Sequence, residues 1–158
     1  MSVVSNAGPL IALARIERLD LLVAVYGEVV IPPTVYREVS HENLPGGAIV
    51  ARAEWLQVRH VDNQTAVQRL RFWLDAGESE AIVLAQQLGS ALLIDERRGR
   101  GIATALGRRV TDTIGTLIAA KQRGFVSSVT PLLDALITHG VRLSPRLYRE
   151  AQKVADEA

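Results

Sequence analysis

A mainly parallel β-sheet with helices on both faces is the α/β fold predicted for this chain, and three observations predict it. Short aliphatic runs alternate with helical segments along the sequence. The clearest run, Ala91-Leu92-Leu93-Ile94, is apolar throughout, which is the pattern of a short buried strand. The chain has 158 residues, 48% hydrophobic and 22% charged, enough to bury one sizeable core. No repeat, low-complexity tract or linker interrupts it, so a single domain over residues 1–158 is expected.

Val3-Val4-Ser5 reads as the first strand, and Pro9 suits the first turn of the helix that continues through Leu10, Ile11, Leu13 and Ala14. Ile16 to Val25 is a second amphipathic segment with Gly27 as its C-terminal cap. Val29-Val30-Ile31 is the next strand, and Pro32-Pro33 opens a helix carrying Val35, Tyr36, Glu38 and Val39. Ser40 to Gly47 is loop-like, punctuated by Asn43, Pro45 and Gly46-Gly47. Trp55 to Val58 is expected as an edge strand. A helical pattern then runs from Val67 to Leu74, broken by Asp75-Ala76-Gly77 before a helix that reaches Leu88 and its Gly89 cap. After the strand Ala91 to Ile94 come a helix through Ile102 to Leu106 and the short run Arg109-Val110. Thr111-Asp112-Thr113 supplies capping chemistry for a helix from Ile114 to Gln122. Val129 to Thr138 is another helix, and Ser144-Pro145 starts the last one.

Composition excludes several chemistries. With no cysteine there are no disulfides, thiolate metal sites or cysteine nucleophiles. Aromatic residues make up only 4%, so the core must be aliphatic. No apolar run approaches the ~18 residues of a membrane span, and a cytoplasmic protein is expected. The net charge of +1 gives no global pull toward nucleic acid. Arginine is nevertheless concentrated at Arg97, Arg98, Arg100, Arg108 and Arg109, either a solvated face or a phosphate contact. His41, His60 and His139 are far apart, show no ligand spacing and are expected at the surface.

Candidate site residues follow from where acids and amides fall. Ligands of open α/β sheets bind outside the carboxyl ends of strands. Asn6, Asp95 and Asp112 all sit at such exits. Asp95 reads either as a site acid or as the N-terminal cap of the following helix. Glu38 lies one turn into the helix after the second strand. Glu78 shares a helical face with Ala81, Ile82 and Ala85, so it should point inward, toward a site or toward backbone N–H groups. Glu80 points away from that stripe and is expected in solvent. Carboxylates converging on one cleft require a cation between them, and a hard divalent ion suits oxygen ligands. No P-loop, G-x-S-x-G or H-E-x-x-H motif competes.

Four motifs in order carry a family resemblance: Val4-Ser5-Asn6-Ala7-Gly8-Pro9-Leu10-Ile11; Ile31-Pro32-Pro33-Thr34-Val35 with Glu38; Gly77-Glu78-Ser79-Glu80-Ala81-Ile82; and Leu93-Ile94-Asp95-Glu96 with Gly99-Arg100. Together they resemble PIN-domain proteins, and more narrowly the PIN-like branch of prokaryotic proteins known as DUF3368. The resemblance implies a three-layer α/β/α sandwich around a central parallel sheet. It also implies a Mg²⁺- or Mn²⁺-dependent ribonuclease acting on single-stranded RNA, of the kind used as the toxin of toxin–antitoxin pairs. An antitoxin partner and a homodimer are further expectations from it. Carried over position by position, it marks Asn6, Glu38, Glu78 (or Glu80) and Asp95 as catalytic, with Asp95, Glu78 and Glu38 as metal ligands. Asp112 is an additional candidate, and Arg97, Arg98 and Arg100 would hold the RNA backbone.

One position departs from the family pattern: Asn6 stands where an Asp is expected. A carboxamide ligates through its carbonyl oxygen but brings no charge to a hard cation and cannot act as a general base. Two readings therefore stand. One is a metal-dependent ribonuclease; the other is a catalytically weakened module that binds nucleic acid or a protein partner.

Overall fold

The computed structural model describes residues 2–41, 43–44 and 46–158. Among them, five parallel strands form one sheet: β1 (Ser2–Ser5), β2 (Glu28–Ile31), β3 (Leu56–Val58), β4 (Leu92–Leu93) and β5 (Val110–Thr111). Their spatial order is β3-β2-β1-β4-β5. The chain winds outward from β1 through β2 to the edge strand β3, then returns to lay β4 against the other side of β1. The order reverses between β1 and β4, where Ser5 pairs with Leu93, so the carboxyl ends of these two strands form the switch point at which ligands of open α/β sheets bind.

The helices are α1 (Ala7–Arg15), α2 (Asp20–Tyr26), α3 (Pro33–Val39), α4 (Gly47–Arg52), α5 (Gln64–Leu70), α6 (Ala76–Leu88), α7 (Arg97–Ala105), α8 (Thr113–Gln122), α9 (Thr130–Thr138) and α10 (Pro145–Val154). Alternate strand residues face opposite sides of the sheet. Val3, Val29, Ile31 and Leu93 enter one core with α1 to α4 and α8 to α10. Val4, Val30, Leu92 and Ile94 enter a second core with α5, α6 and α7. The inner strands β1, β2 and β4 therefore feed apolar residues to both faces, and the three-layer α/β/α sandwich follows. No helix among the described residues is long and apolar enough to cross a membrane.

Three local expectations are corrected. Gly47–Arg52 begins inside a stretch expected to be loop, and Val50 of α4 plugs the first core; Pro45, part of that expectation, lies outside the described residues. α5 starts earlier than expected because the Asn63 side chain accepts from the Ala66 N–H, and the chain turns at Arg71 to Trp73. Asp75-Ala76-Gly77 does not break a helix. Asp75 caps α6, so Gly77 lies inside its first turn.

Candidate active site

Asn6 leaves β1 into the crevice with an extended backbone, and its N–H donates to the Leu93 carbonyl at 3.0 Å, tying the exits of β1 and β4 together. The residue is 9% exposed, and its side chain makes no capping bond to α1. Asp95 follows Ile94 at the neighbouring exit. It does not cap α7; Glu96 does, accepting from the Gly99 N–H at 2.7 Å. Instead the Asp95 carboxylate reaches the start of α8. There Thr113 donates its N–H to Oδ1 at 2.8 Å and its hydroxyl to Oδ2 at 2.6 Å. The same Oδ2 lies over the first turn of α1, 3.9 Å from where a Gly8 side chain would begin. Asp95 is exposed as a residue, and its carboxyl is held between the first turns of α8 and α1. Burial pushes that carboxyl up, the two Thr113 bonds pull it down, and Asp112 and Arg100 add opposing smaller effects.

Glu78 points inward as its helical phase predicts, with 8% of the residue exposed. Its N–H is used by the Asp75 cap at 2.8 Å. Its Oε2 is buried and no donor reaches it. The facing residue is Gly99 of α7, where a methyl group would stand 2.6 Å from Ile94 Cδ1, 3.1 Å from Glu78 Oε2 and 3.6 Å from Glu96 Oε2. Only glycine allows α7 this approach. The Glu78 carboxyl is pushed up to about 8, first by burial and then by the nearby Asp75 and Glu96 carboxylates, to which a protonated Glu78 would donate. Glu96 moves the other way, held down mainly by the Gly99 N–H.

Glu38 approaches the same helix start from α3. Its Oε1 lies so close to Gly77 that a side chain there would collide with it. Burial raises its carboxyl, and Asp75 and Glu80 raise it further. Glu80 is not solvated as expected. It accepts from the Thr34 hydroxyl and, at 3.4 Å, from the Thr34 N–H, pinning α6 to α3. Asp112 caps α8 through the Gly115 N–H at 2.7 Å and forms an ion pair with Arg100. Arg100 is therefore engaged by Asp112 and only half-buried, whereas Arg97 and Arg98 are exposed on α7. All three histidines are exposed.

The structure brings Asn6 and Asp95 to one crevice and places Glu78 against Glu96 and Asp75 nearby on α6 and α7. It does not bring Asp95, Glu78 and Glu38 into one cage. Among the described residues, no group of three or more His, Cys, Asp or Glu side chains is arranged to hold a metal. The donors fit a hydrated hard cation, which takes one or two carboxylates directly and keeps several waters. Asp95 has a spare lone pair on each oxygen, Asn6 has an uncommitted carboxamide, and Glu78 has an oxygen lacking any partner.

In the sequence Asp75 and Thr113 stand out only as helix punctuation and Glu96 only within a motif, yet all three orient or crowd the two central acids. Asp75-x-x-Glu78 is itself a helix-start signature that would have identified the first of the caps. Thr113 lies 18 residues from Asp95 and has no local signal.

The model of the DUF3368 family, described as a PIN domain, matches residues 2–157. No curated protein and no solved structure matches the chain.

Proposed function

The chain belongs to the PIN-domain family, in its DUF3368 branch, a nuclease-type fold, and on that premise we propose that it is a Mg²⁺- or Mn²⁺-dependent endoribonuclease cleaving single-stranded RNA. The observation that carries the proposal is the buried, donorless Glu78 oxygen beside the β1–β4 crevice. An ionised carboxylate in that position is unsatisfied unless a proton or a cation joins it. Asp95, Glu78 and Glu38 would hold the ion, directly or through water, with Asn6 as a neutral ligand or water-positioner. When bound, such an ion polarises a phosphodiester and acidifies a coordinated water.

The chain's own residues do the rest. Thr113 fixes the Asp95 carboxylate with two hydrogen bonds, so its free lone pairs face the crevice without reorganisation. With its carboxyl pushed up to about 8, Glu78 keeps a proton at neutral pH in the metal-free protein, and it would give that proton up on becoming a ligand. Arg97 and Arg98 lie free on α7 to take backbone phosphates. The same reading makes the protein a single-domain, cytoplasmic, toxin-type nuclease with a protein antitoxin and a homodimeric state.

A titration with Mg²⁺ and Mn²⁺ on single-stranded RNA tests the proposal, with Asp95→Ala as control. Metal-dependent cleavage by the wild type and its loss in Asp95→Ala are expected. Equal activity in both proteins, or no Mn²⁺ binding at millimolar concentrations by calorimetry, sinks it. Asn6 favours a second reading, a catalytically weakened binding module, because its amide removes one charge from the site. A silent wild type that gains cleavage in Asn6→Asp would establish that alternative.

A further inference from the structure

The turn between α5 and α6 carries Phe72 and Trp73, 85% and 64% exposed. The chain has only two phenylalanines and two tryptophans, and one of each is placed here rather than in the aliphatic cores. Each aromatic lines its own shallow depression. Trp73 shares one of about 510 Å³ with Leu70 and Arg98. Phe72 shares another of about 460 Å³ with Arg69 and Arg71. Arg69, Arg71 and Arg98 take part in no ion pair among the described residues. Arg98 lies with a guanidinium nitrogen 3.5 Å from the Trp73 carbonyl.

We infer that this turn is a stacking platform for unpaired bases of a single-stranded nucleic acid, held by the flanking arginines through the backbone. Exposed aromatic faces offer bases a sequence-tolerant surface, and guanidinium groups supply both phosphate contacts and cation–π attraction. A neutral or basic protein partner would leave these cations unmatched, whereas a single strand with unpaired bases matches the cations with its phosphates and the aromatic faces with its bases. The platform is also continuous with the candidate active site. Leu74 and the Asp75 cap follow Trp73 directly, and Arg98 precedes Gly99, which faces Glu78. Bases seated on the turn therefore leave the adjoining phosphates near α6 and α7. The inference rests on the reading of the protein as one that acts on single-stranded RNA, but not on cleavage.

The test is anisotropy of a short labelled single-stranded RNA with the full chain in EDTA, where cleavage is silent. Phe72→Ala and Trp73→Ala should each weaken binding by about tenfold or more. Trp73→Phe should restore most of it, and a duplex of the same sequence should compete poorly. Arg98→Ala should lower the salt dependence of binding. Both aromatics are exposed, so unchanged melting temperatures confirm that the variants fold. Unchanged affinity in both alanine variants, equal competition by duplex, or no RNA binding at all overturns the platform. So does sedimentation showing a wild-type dimer that Phe72→Ala converts to monomer, because the surface is then an interface between copies. Aromatic-dependent binding by a protein that cleaves nothing with Mg²⁺ or Mn²⁺ leaves the platform standing and removes the ribonuclease reading.

Discussion

Replacing Glu78 by glutamine separates the electrostatic cost of the site from its chemistry. The carboxyl is raised from 4.5 to about 8, chiefly because the ionised form is buried without a donor and then because Asp75 and Glu96 are close. Below pH 4.5 Glu78 is protonated in folded and unfolded chains alike and costs nothing. As pH rises toward 8 the unfolded chain sheds the proton while the folded one keeps it, so stability falls; above 8 the full cost is present. At about 1.4 kcal/mol per tenfold change in proton affinity, the ceiling is ~5 kcal/mol. Asp75 and Glu96 face solvent, which screens their repulsion and brings the expected cost to about 2 kcal/mol. Glu78→Gln keeps the shape and provides a neutral donor for Glu96. At pH 9 in EDTA the variant should therefore melt roughly 4–8 °C above the wild type, a difference that disappears at pH 4 to 5. Circular dichroism melts of both proteins at pH 4.5, 7 and 9 measure it. Parallel melting profiles across that range would refute the account of a buried, partnerless carboxylate.

Other perturbations probe the supports. Gly99→Ala drives a methyl group into Ile94 and Glu78, so a loss of about 1–3 kcal/mol in urea denaturation is expected despite the better helix former. Thr113→Val removes the hydroxyl at Asp95 Oδ2, and the Asp95 carboxyl should titrate higher by NMR, with weaker Mn²⁺ binding and a fold stable to within about 2 kcal/mol. Glu157, held down to about 2 by Thr130, Val129 and Lys121, joins the C-terminal end to α8 and α9. Its depressed carboxyl stabilises the fold above pH 4.5, and that contribution fades as pH falls toward 2. Glu157→Gln should therefore flatten the acid limb of the melting curve.

Sequence reading recovered what local chemistry encodes. Apolar runs located the strands, and Gly27, Gly89, Pro33 and Ser144 marked helix ends, because caps and strand burial depend on residues within a few positions. It failed where a short element has no local signature: α4 is six residues behind two glycines, and its existence is decided by Val50 filling the core. It also failed where partners are distant. Glu80 was expected in solvent because its helical phase turns away from the apolar stripe, yet Thr34 of α3 waits there, 46 residues away. Asp95 reads in the sequence as a possible cap for the next helix, and its actual bond to Thr113 exists only because β5 lies beside β4. Of the candidate acids, the inward phase of Glu78 is legible in its helical spacing, whereas the approach of Glu38 to Gly77 from a different helix is not.

Asn6 and Glu78 pull the site in opposite directions, and under the proposed function that tension would set its metal affinity. An aspartate in place of Asn6 would add a second charge beside Asp95 in a crevice where burial already pushes the Asp95 carboxyl up. The amide avoids that repulsion and costs the cation one ligand charge. Glu78 can return the charge, but only by giving up a proton that its surroundings hold to about pH 8. Binding of a divalent ion must then release a proton near neutrality, and its apparent affinity must rise with pH through that range. Mn²⁺ titrations at pH 6.5, 7.5 and 8.5 should show about a tenfold gain in affinity per pH unit, falling off above pH 8. In Glu78→Gln the pH dependence should vanish while weak binding at Asp95 and Asn6 persists. A wild-type affinity independent of pH would mean that Glu78 keeps its proton when the ion binds, leaving Asp95 as the only charged ligand.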